Sequence, residues 1–127
     1  MSQSTFTQSV RIIIIDVTDF YPNTDTTDGR AVMQKHLEPN TASLCVKFSD
    51  VIHESMVVST PVGSFKVPDS YGIGFGHSAE VCDLNYSDTV ESPVLATLSS
   101  EGIVPDFYGR MIDDIIMIIS LTAQTLR

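Results

Sequence analysis

The sequence predicts an α+β fold, in which a mixed or mainly antiparallel sheet of about five strands carries a long C-terminal helix on one face. Three observations lead to this prediction. The first is a run of β-branched residues, VRIIIIDV, at residues 10–17. The second is a series of short apolar segments divided by glycine and proline through the middle of the chain. The third is a broadly apolar segment near the C-terminus. With 127 residues, the chain is expected to form one domain over residues 1–127.

The N-terminal elements follow from the first run. Residues 10–17 have the continuous apolar pattern of a central strand that is buried on both faces. The next segment, residues 19–29, is rich in turn formers and is expected to be a loop. Within it, Thr27 or Asp28 can cap a short helix that continues to Leu37 and is stopped by Pro39.

The middle of the chain is expected to be rich in strands. Leu44, Val46 and Phe48 alternate with polar residues, which predicts a half-buried strand within residues 43–58. Residues 56–60 and 65–67 flank a Pro-Val-Gly-Ser segment and have the pattern of a hairpin. Residues 71–76 and 79–86 are expected to supply further extended segments, although glycine weakens the first of them.

Two helices are expected in the last third. Ser92 and Pro93 favour the start of a short helix that ends at Gly102, with a strand as the alternative. Residues 106–126 then predict a long helix, with an acid in its first turn and an arginine at its end. Its apolar residues cover more than half of its circumference, whereas a surface helix of a monomer usually has one narrower stripe.

This wide apolar surface suggests an interface. Its apolar run is far shorter than the roughly 20 residues that a membrane span needs. One interpretation is therefore burial against a second copy of the chain, and the other is a helix covered on both sides within the core. The expected interface residues are Phe107, Met111, Ile112, Ile115, Ile116, Ile118 and Ile119.

Composition and charge exclude several partners. Seven basic residues against 16 acidic residues give a net charge of −9, and the basic residues are scattered along the chain. Such a distribution argues against binding to nucleic acid or to an anionic membrane. The two cysteines are too few for a disulfide framework, and the N-terminal residues do not resemble a signal peptide. We therefore expect a cytoplasmic protein.

Sequence motifs of catalysis are missing. The segment GIGFG at residues 72–76 is neither a dinucleotide-binding fingerprint nor a P-loop. His36, His53 and His77 lack the spacing of a metal site, and the acidic loop from Asp16 to Asp28 lacks that of an EF-hand. No catalytic residue, metal or cofactor is therefore assigned, and an enzyme is the less favoured class.

Two hypotheses for the function remain. The favoured one is a non-catalytic interaction protein that assembles with itself and with another protein, such as a structural component of a virus or phage, or an acidic inhibitor of a host protein. The alternative is a small-molecule site, either a nucleotide-like binding or sequestering site or a small enzyme, at the end of a buried strand. Its expected residues are Asp16, His53, Gly72, Gly74, Gly76, His77 and Ser78.

Overall fold

The computed structural model describes residues 9–66, 69–72 and 76–121. Its contacts divide the chain into two compact units. Unit 1 comprises Met1–Thr18 and Pro93–Arg127, and unit 2 comprises Asp19–Ser92. The strands are β1 (Ser9–Asp16), β2 (Val57–Thr60), β3 (Gly63–Lys66), β4 (Phe107–Met111) and β5 (Asp114–Leu121). The helices are α1 (Thr26–His36), α2 (Pro39–Ser55), α3 (Ser78–Tyr86) and α4 (Ser92–Ser100).

Unit 1 contains a three-stranded antiparallel sheet in the order β1-β5-β4. In β5, Ile115, Met117 and Ile119 are buried and alternate with more exposed residues, as expected for a strand with one covered face. The register pairs Ile14 with Ile116 and Ile12 with Ile118. Directly opposed residues lie on the same face of the sheet, so β1 and β5 share an apolar face opposite the buried one.

The connection between β4 and β5 is a tight turn at Ile112 and Asp113. Ile112 has a φ of 60°, a region that β-branched residues rarely adopt and that a two-residue hairpin loop normally fills with glycine. The Arg110 guanidinium donates a hydrogen bond of 3.0 Å to the Ile112 carbonyl oxygen. The turn is therefore held in a strained conformation.

The predicted C-terminal helix was wrong, because residues 106–126 contain β4, a turn and β5 as far as the described residues extend. A segment that is apolar on all sides fits a helix and a strand equally well. Its many isoleucines favour a strand, and Gly109 disfavours a helix interior. The wide apolar surface is thus the two faces of a hairpin. The five strands, moreover, form two antiparallel sheets of three and two strands instead of one sheet.

The first strand also differs from its prediction. β1 spans nearly the predicted residues, but within the described parts of the chain it is an edge strand that pairs only with β5. Its isoleucines are exposed, so it is not a central strand buried on both faces. In β1, a continuous apolar run in the sequence therefore does not indicate a buried strand.

Unit 2 is built around α1, α2 and α3. The Asp25 side chain caps α1 by accepting a hydrogen bond of 2.8 Å from the Asp28 backbone N–H. Helix α1 was thus predicted nearly in full, but its cap lies two to three residues before the predicted one. Pro39 does stop α1, and it also begins α2, where proline is well tolerated because the first turn needs no N–H donor.

The strand predicted within residues 43–58 is helical up to Ser55. Ala42, Ser49 and His53 are its buried residues, and their spacings of seven and four place them on one helix face. The hairpin of β2 and β3 was predicted correctly apart from its bounds, with a turn at Pro61 and Val62.

The longest helical segment lies in the middle of the chain. Helix α3 continues through a π-helical segment (Ser87–Glu91) into α4, so residues 78–100 form 23 continuous helical residues. Residues 79–86 were therefore wrongly predicted to be extended, whereas a helix starting at Ser92 was correct in type. Gly102, with a φ of 75°, follows α4, as is usual beyond a helix C-terminus. Among the described residues, no helix has the length and apolarity needed to cross a membrane.

Candidate functional site

The most exposed apolar surface of unit 1 is one face of its sheet, which we call the outer face. Ile12 is 65% exposed, and Ile14 and Met111 are each 75% exposed. The register places these residues on one side of the sheet, together with the half-exposed Phe107. The residues of the outer face are Val10, Ile12, Ile14, Phe107, Met111, Ile116 and Ile118. Contiguous apolar surfaces of this kind mark interaction sites in soluble proteins.

The shape of the outer face follows from a glycine. Gly109 lies opposite Ile116 on this face, and a Cβ atom added to Gly109 would lie 3.0 Å from the Phe107 ring. The aromatic ring therefore extends over the space that a side chain would fill. As a result, an aromatic ring lies close to the sheet on this face beside Gly109.

Acidic residues lie at one end of the outer face. Asp16 at the end of β1 is directly opposite Asp114 at the start of β5, and both are exposed. Like charges directly opposite each other destabilise a sheet. The remaining outer-face positions carry no charge, so the surface is apolar with an acidic end.

The predicted interface residues divide between the two faces. Phe107, Met111, Ile116 and Ile118 belong to the outer face, and Ile112 is in the turn. Ile115 and Ile119 lie on the buried face with Met117. The strand period of two separates residues that the helical prediction had grouped together. Sequence reasoning missed Val10, Ile12 and Ile14, because the continuous apolar run of β1 does not separate one face of the strand from the other.

Unit 2 contains a buried cluster of polar and aromatic side chains. Ser49 and His53 of α2 lie on one helix face, and Tyr71 and His77 come from the segment before α3. The Ser49 Oγ atom lies 3.4 Å from Tyr71 Oη and 3.3 Å from His77 Nε2. The His53 ring meets the Tyr71 ring edge to face at 4.7 Å, and the two histidine rings are 5.7 Å apart.

Burial sets the protonation of this cluster. Desolvation lowers the pKa of His53 from 6.5, and the nearby charge of His77 lowers it further. Desolvation also lowers the pKa of His77, against the opposing influence of Glu80. Burial raises the pKa of Tyr71. At neutral pH the cluster therefore consists of two neutral histidines and a protonated tyrosine.

This arrangement resembles the pairing of a nucleophile with a base, but it lacks access. Ser49 is 3% exposed, so a substrate carbonyl has no approach to its oxygen. The hydroxyls instead satisfy each other's hydrogen-bonding needs inside the unit. The cluster is thus a buried polar network. Its histidines also line pockets, and they are the part of the cluster that a ligand can reach.

The structure brings together some of the predicted ligand-binding residues. His53 and His77 are in the cluster. Ser78, the first residue of α3, follows His77 directly and is buried. Gly72 is half-buried and Gly76 is exposed, whereas Gly74 lies outside the described residues. Asp16 belongs to unit 1 and takes no part in the cluster. Sequence reasoning missed Ser49 and Tyr71; recognising α2 as a helix would have placed Ser49 one turn before His53.

Comparisons with known protein families, curated proteins and solved structures gave no match. Within residues 9–66, 69–72 and 76–121, no group of three or more histidine, cysteine, aspartate or glutamate side chains is arranged to hold a metal ion. The candidate functional surfaces are the outer face of unit 1 and the pockets of unit 2.

Proposed function

We propose that the chain is a non-catalytic interaction protein that assembles with a second copy of itself through the outer face of unit 1. The observation that carries the proposal is the exposure of most of the apolar side chains on one sheet face. Fully burying an isoleucine or methionine side chain contributes about 1.5–3 kcal/mol. Assembly removes this surface from water without requiring any change in the fold of the unit.

The size of the outer face sets the expected affinity. With about 3.3 Å per residue, an eight-residue strand such as β5 is about 26 Å long. Three strands spaced about 4.8 Å apart are about 14 Å wide. This footprint is about 360 Å² per copy, less than half of the roughly 800 Å² per copy of a standard interface, and so falls in the range of weak or transient complexes. We therefore expect a weak dimer that dissociates readily on dilution.

Charge favours one orientation of the two copies. A two-fold axis brings the same surface of both copies together, and an antiparallel arrangement places each acidic end against the uncharged end of its partner. The acidic end contains Asp16 and Asp114, and the uncharged end contains Val10 and Ser120. A parallel arrangement would instead bring four carboxylates together. We propose the antiparallel dimer, whose two sheets pack face to face.

A second copy is favoured over a basic partner because the contact surface itself is apolar. The net charge of −9 works against self-association at long range. This repulsion is screened by salt, whereas apolar burial is not. The dimer should consequently strengthen with ionic strength, which is opposite to the behaviour of a complex with a basic partner. Two free cysteines suit a reducing compartment, so the proposal places the assembly in the cytoplasm.

Sedimentation velocity over a concentration series, at low and high salt, tests the proposal. We expect a shift from 13.9 kDa to twice that mass as the concentration rises, at a lower concentration in high salt. Discrete dimers distinguish this assembly from unspecific aggregation. A species that keeps the mass of one chain at every concentration and salt level would refute the proposal.

A further inference from the structure

A pocket of about 280 Å³ lies in unit 2 among α1, α2 and the start of α3. It is separate from the surface proposed for self-assembly, which belongs to unit 1. Its walls are mostly apolar, as is usual for small-molecule sites, and its volume suits a compact ligand. The apolar walls are formed by Met33, Leu37, Cys45, Phe48, Val81 and Leu84.

Two polar side chains also line the pocket, His77 and Glu80. They lie three residues apart at the start of α3, so they project from neighbouring positions of one helical turn. The charge of Glu80 acts to raise the pKa of His77, against the larger lowering by desolvation. The pocket therefore combines an apolar interior with one imidazole and one carboxylate.

The hydrogen bonds behind the pocket determine which ring nitrogen of His77 carries the proton. Tyr71 is 1% exposed, and its hydroxyl lies 3.4 Å from Ser49 Oγ in a contact where either group can donate. Because a buried O–H rarely lacks an acceptor, we infer that Tyr71 donates to Ser49 and that Ser49 donates to His77 Nε2, which lies 3.3 Å away. Because the imidazole is neutral and Nε2 accepts, its single proton is on Nδ1. Among the described residues, none hydrogen-bonds to Nδ1.

We propose that this pocket binds a small neutral molecule with an aromatic or compact apolar body and an amide group. The amide carbonyl accepts a hydrogen bond from His77 Nδ1–H, and the amide N–H donates to the Glu80 carboxylate. The apolar walls hold the body of the ligand. The buried Tyr71-Ser49 pair acts from behind by fixing His77 as a donor.

The same features disfavour charged ligands. No lysine or arginine is among the described residues that line the pocket, so a phosphate or carboxylate would meet Glu80 without a compensating cation. This chemistry argues against the nucleotide-like ligand expected from the sequence. A cationic amine would pair with Glu80, but it would leave the His77 donor without an acceptor.

Cys45 provides a built-in reporter of occupancy. Its thiol lines the pocket and is partly exposed. Cys82, the other cysteine, is fully buried and shielded from reagents in the folded chain. Modification by iodoacetamide in the folded protein should thus occur at Cys45, and a ligand in the pocket should slow it.

Benzamide, benzoate and benzylamine are the matched probes, because they share a ring and differ in the charge of the attached group. Binding is measured by saturation-transfer NMR and by the rate of Cys45 alkylation. We expect benzamide to bind in the millimolar range, which suits a ligand of about nine heavy atoms. Benzoate and benzylamine should bind more weakly. Equal binding of all three probes, or no protection of Cys45 by benzamide, would overturn the proposal.

Two variants test the role of His77. His77→Ala should weaken benzamide binding about 2- to 10-fold through the lost hydrogen bond. His36→Ala removes an exposed histidine that pairs with Asp88 and does not line the pocket, so binding should be unchanged. Should His77→Ala fail to fold, Phe48→Ser removes a wall residue that is 65% exposed and should also weaken binding. Unchanged binding in a folded His77→Ala or Phe48→Ser variant would contradict the assignment.

Discussion

The substitution Ile12→Asp should separate the proposed dimer while leaving the monomer folded. Ile12 is 65% exposed in a single chain, so assembly would bury about two thirds of its side chain. That burial contributes about 1–2 kcal/mol per copy, or about 2–4 kcal/mol for the two copies of a two-fold interface. The dissociation constant should therefore rise by at least about 30-fold. Desolvation of the new carboxylates adds to this effect.

Sedimentation equilibrium measures the dissociation constant, and circular dichroism with thermal unfolding checks the fold. Val62→Asp is the matched control, because it adds the same charge at a residue that is 87% exposed in the turn between β2 and β3. It should dimerise like the parent chain. Dimerisation of a folded Ile12→Asp protein with the parent affinity would show that the outer face is not the interface.

Three further predictions concern stability. In Gly29→Ala, the new Cβ would overlap the Tyr71 hydroxyl and lie 2.7 Å from the Tyr71 Cζ atom. Chemical denaturation should therefore show an unfolding free energy that is lower by about 1–3 kcal/mol. As the control, Gly76→Ala has open space around its Cβ and should change the unfolding free energy by less than about 1 kcal/mol. Ile112→Gly should raise the unfolding free energy by about 1 kcal/mol by relieving the positive φ, and a loss of stability would contradict the strain. The buried histidine pair makes stability pH-dependent: because both pKa values are lowered from 6.5 in the fold, the unfolded chain takes up protons first, and stability should fall as the pH drops below 6.5. The midpoint of urea unfolding should decrease with falling pH across this range, and it should decrease less steeply in His53→Gln. The charged groups around His53 are Asp50, Asp69, Arg30, Glu54 and Lys66. An equal pH dependence in the variant would assign the effect to other groups.

Local signals in the sequence predicted the elements whose ends are set by turn or cap chemistry. Helix α1 has acid and threonine residues at its start and a proline soon after its end. The hairpin of β2 and β3 has a turn that contains Pro61 and Gly63. In both cases, short-range backbone preferences determine the structure, and these can be read without knowing what packs nearby.

The failures came from apolar segments whose period was ambiguous. In α2, Leu44, Val46 and Phe48 alternate like a strand, yet Leu44, Phe48 and Val51 also fit one stripe of a helix. These three residues are exposed and the buried face is polar at Ser49 and His53. The large apolar residues of α2 therefore lie on its exposed side, so hydrophobicity did not indicate which side of the helix faces the core.

The candidate sites were accessible to sequence reasoning only in part. His53 and His77 could be singled out as reactive residue types, but their proximity depends on tertiary packing, as does the contribution of Tyr71. For the outer face, Phe107, Met111 and Ile116 were identified through a helix that does not exist. Their shared side became visible only with the strand register that aligns them with Ile12 and Ile14.

The chain order of unit 1 has a consequence for protein synthesis. β1 ends at Asp16, and β5, its partner strand among the described residues, begins at Asp114. At about 5–20 residues per second, roughly 5–20 s pass on the ribosome between the two strands. The whole of unit 2 is synthesised in that interval and can fold while the isoleucines of β1 have no strand to pair with. The apolar β1 segment therefore waits for its partner strand throughout that interval, and it is open to pairing with other chains while it waits.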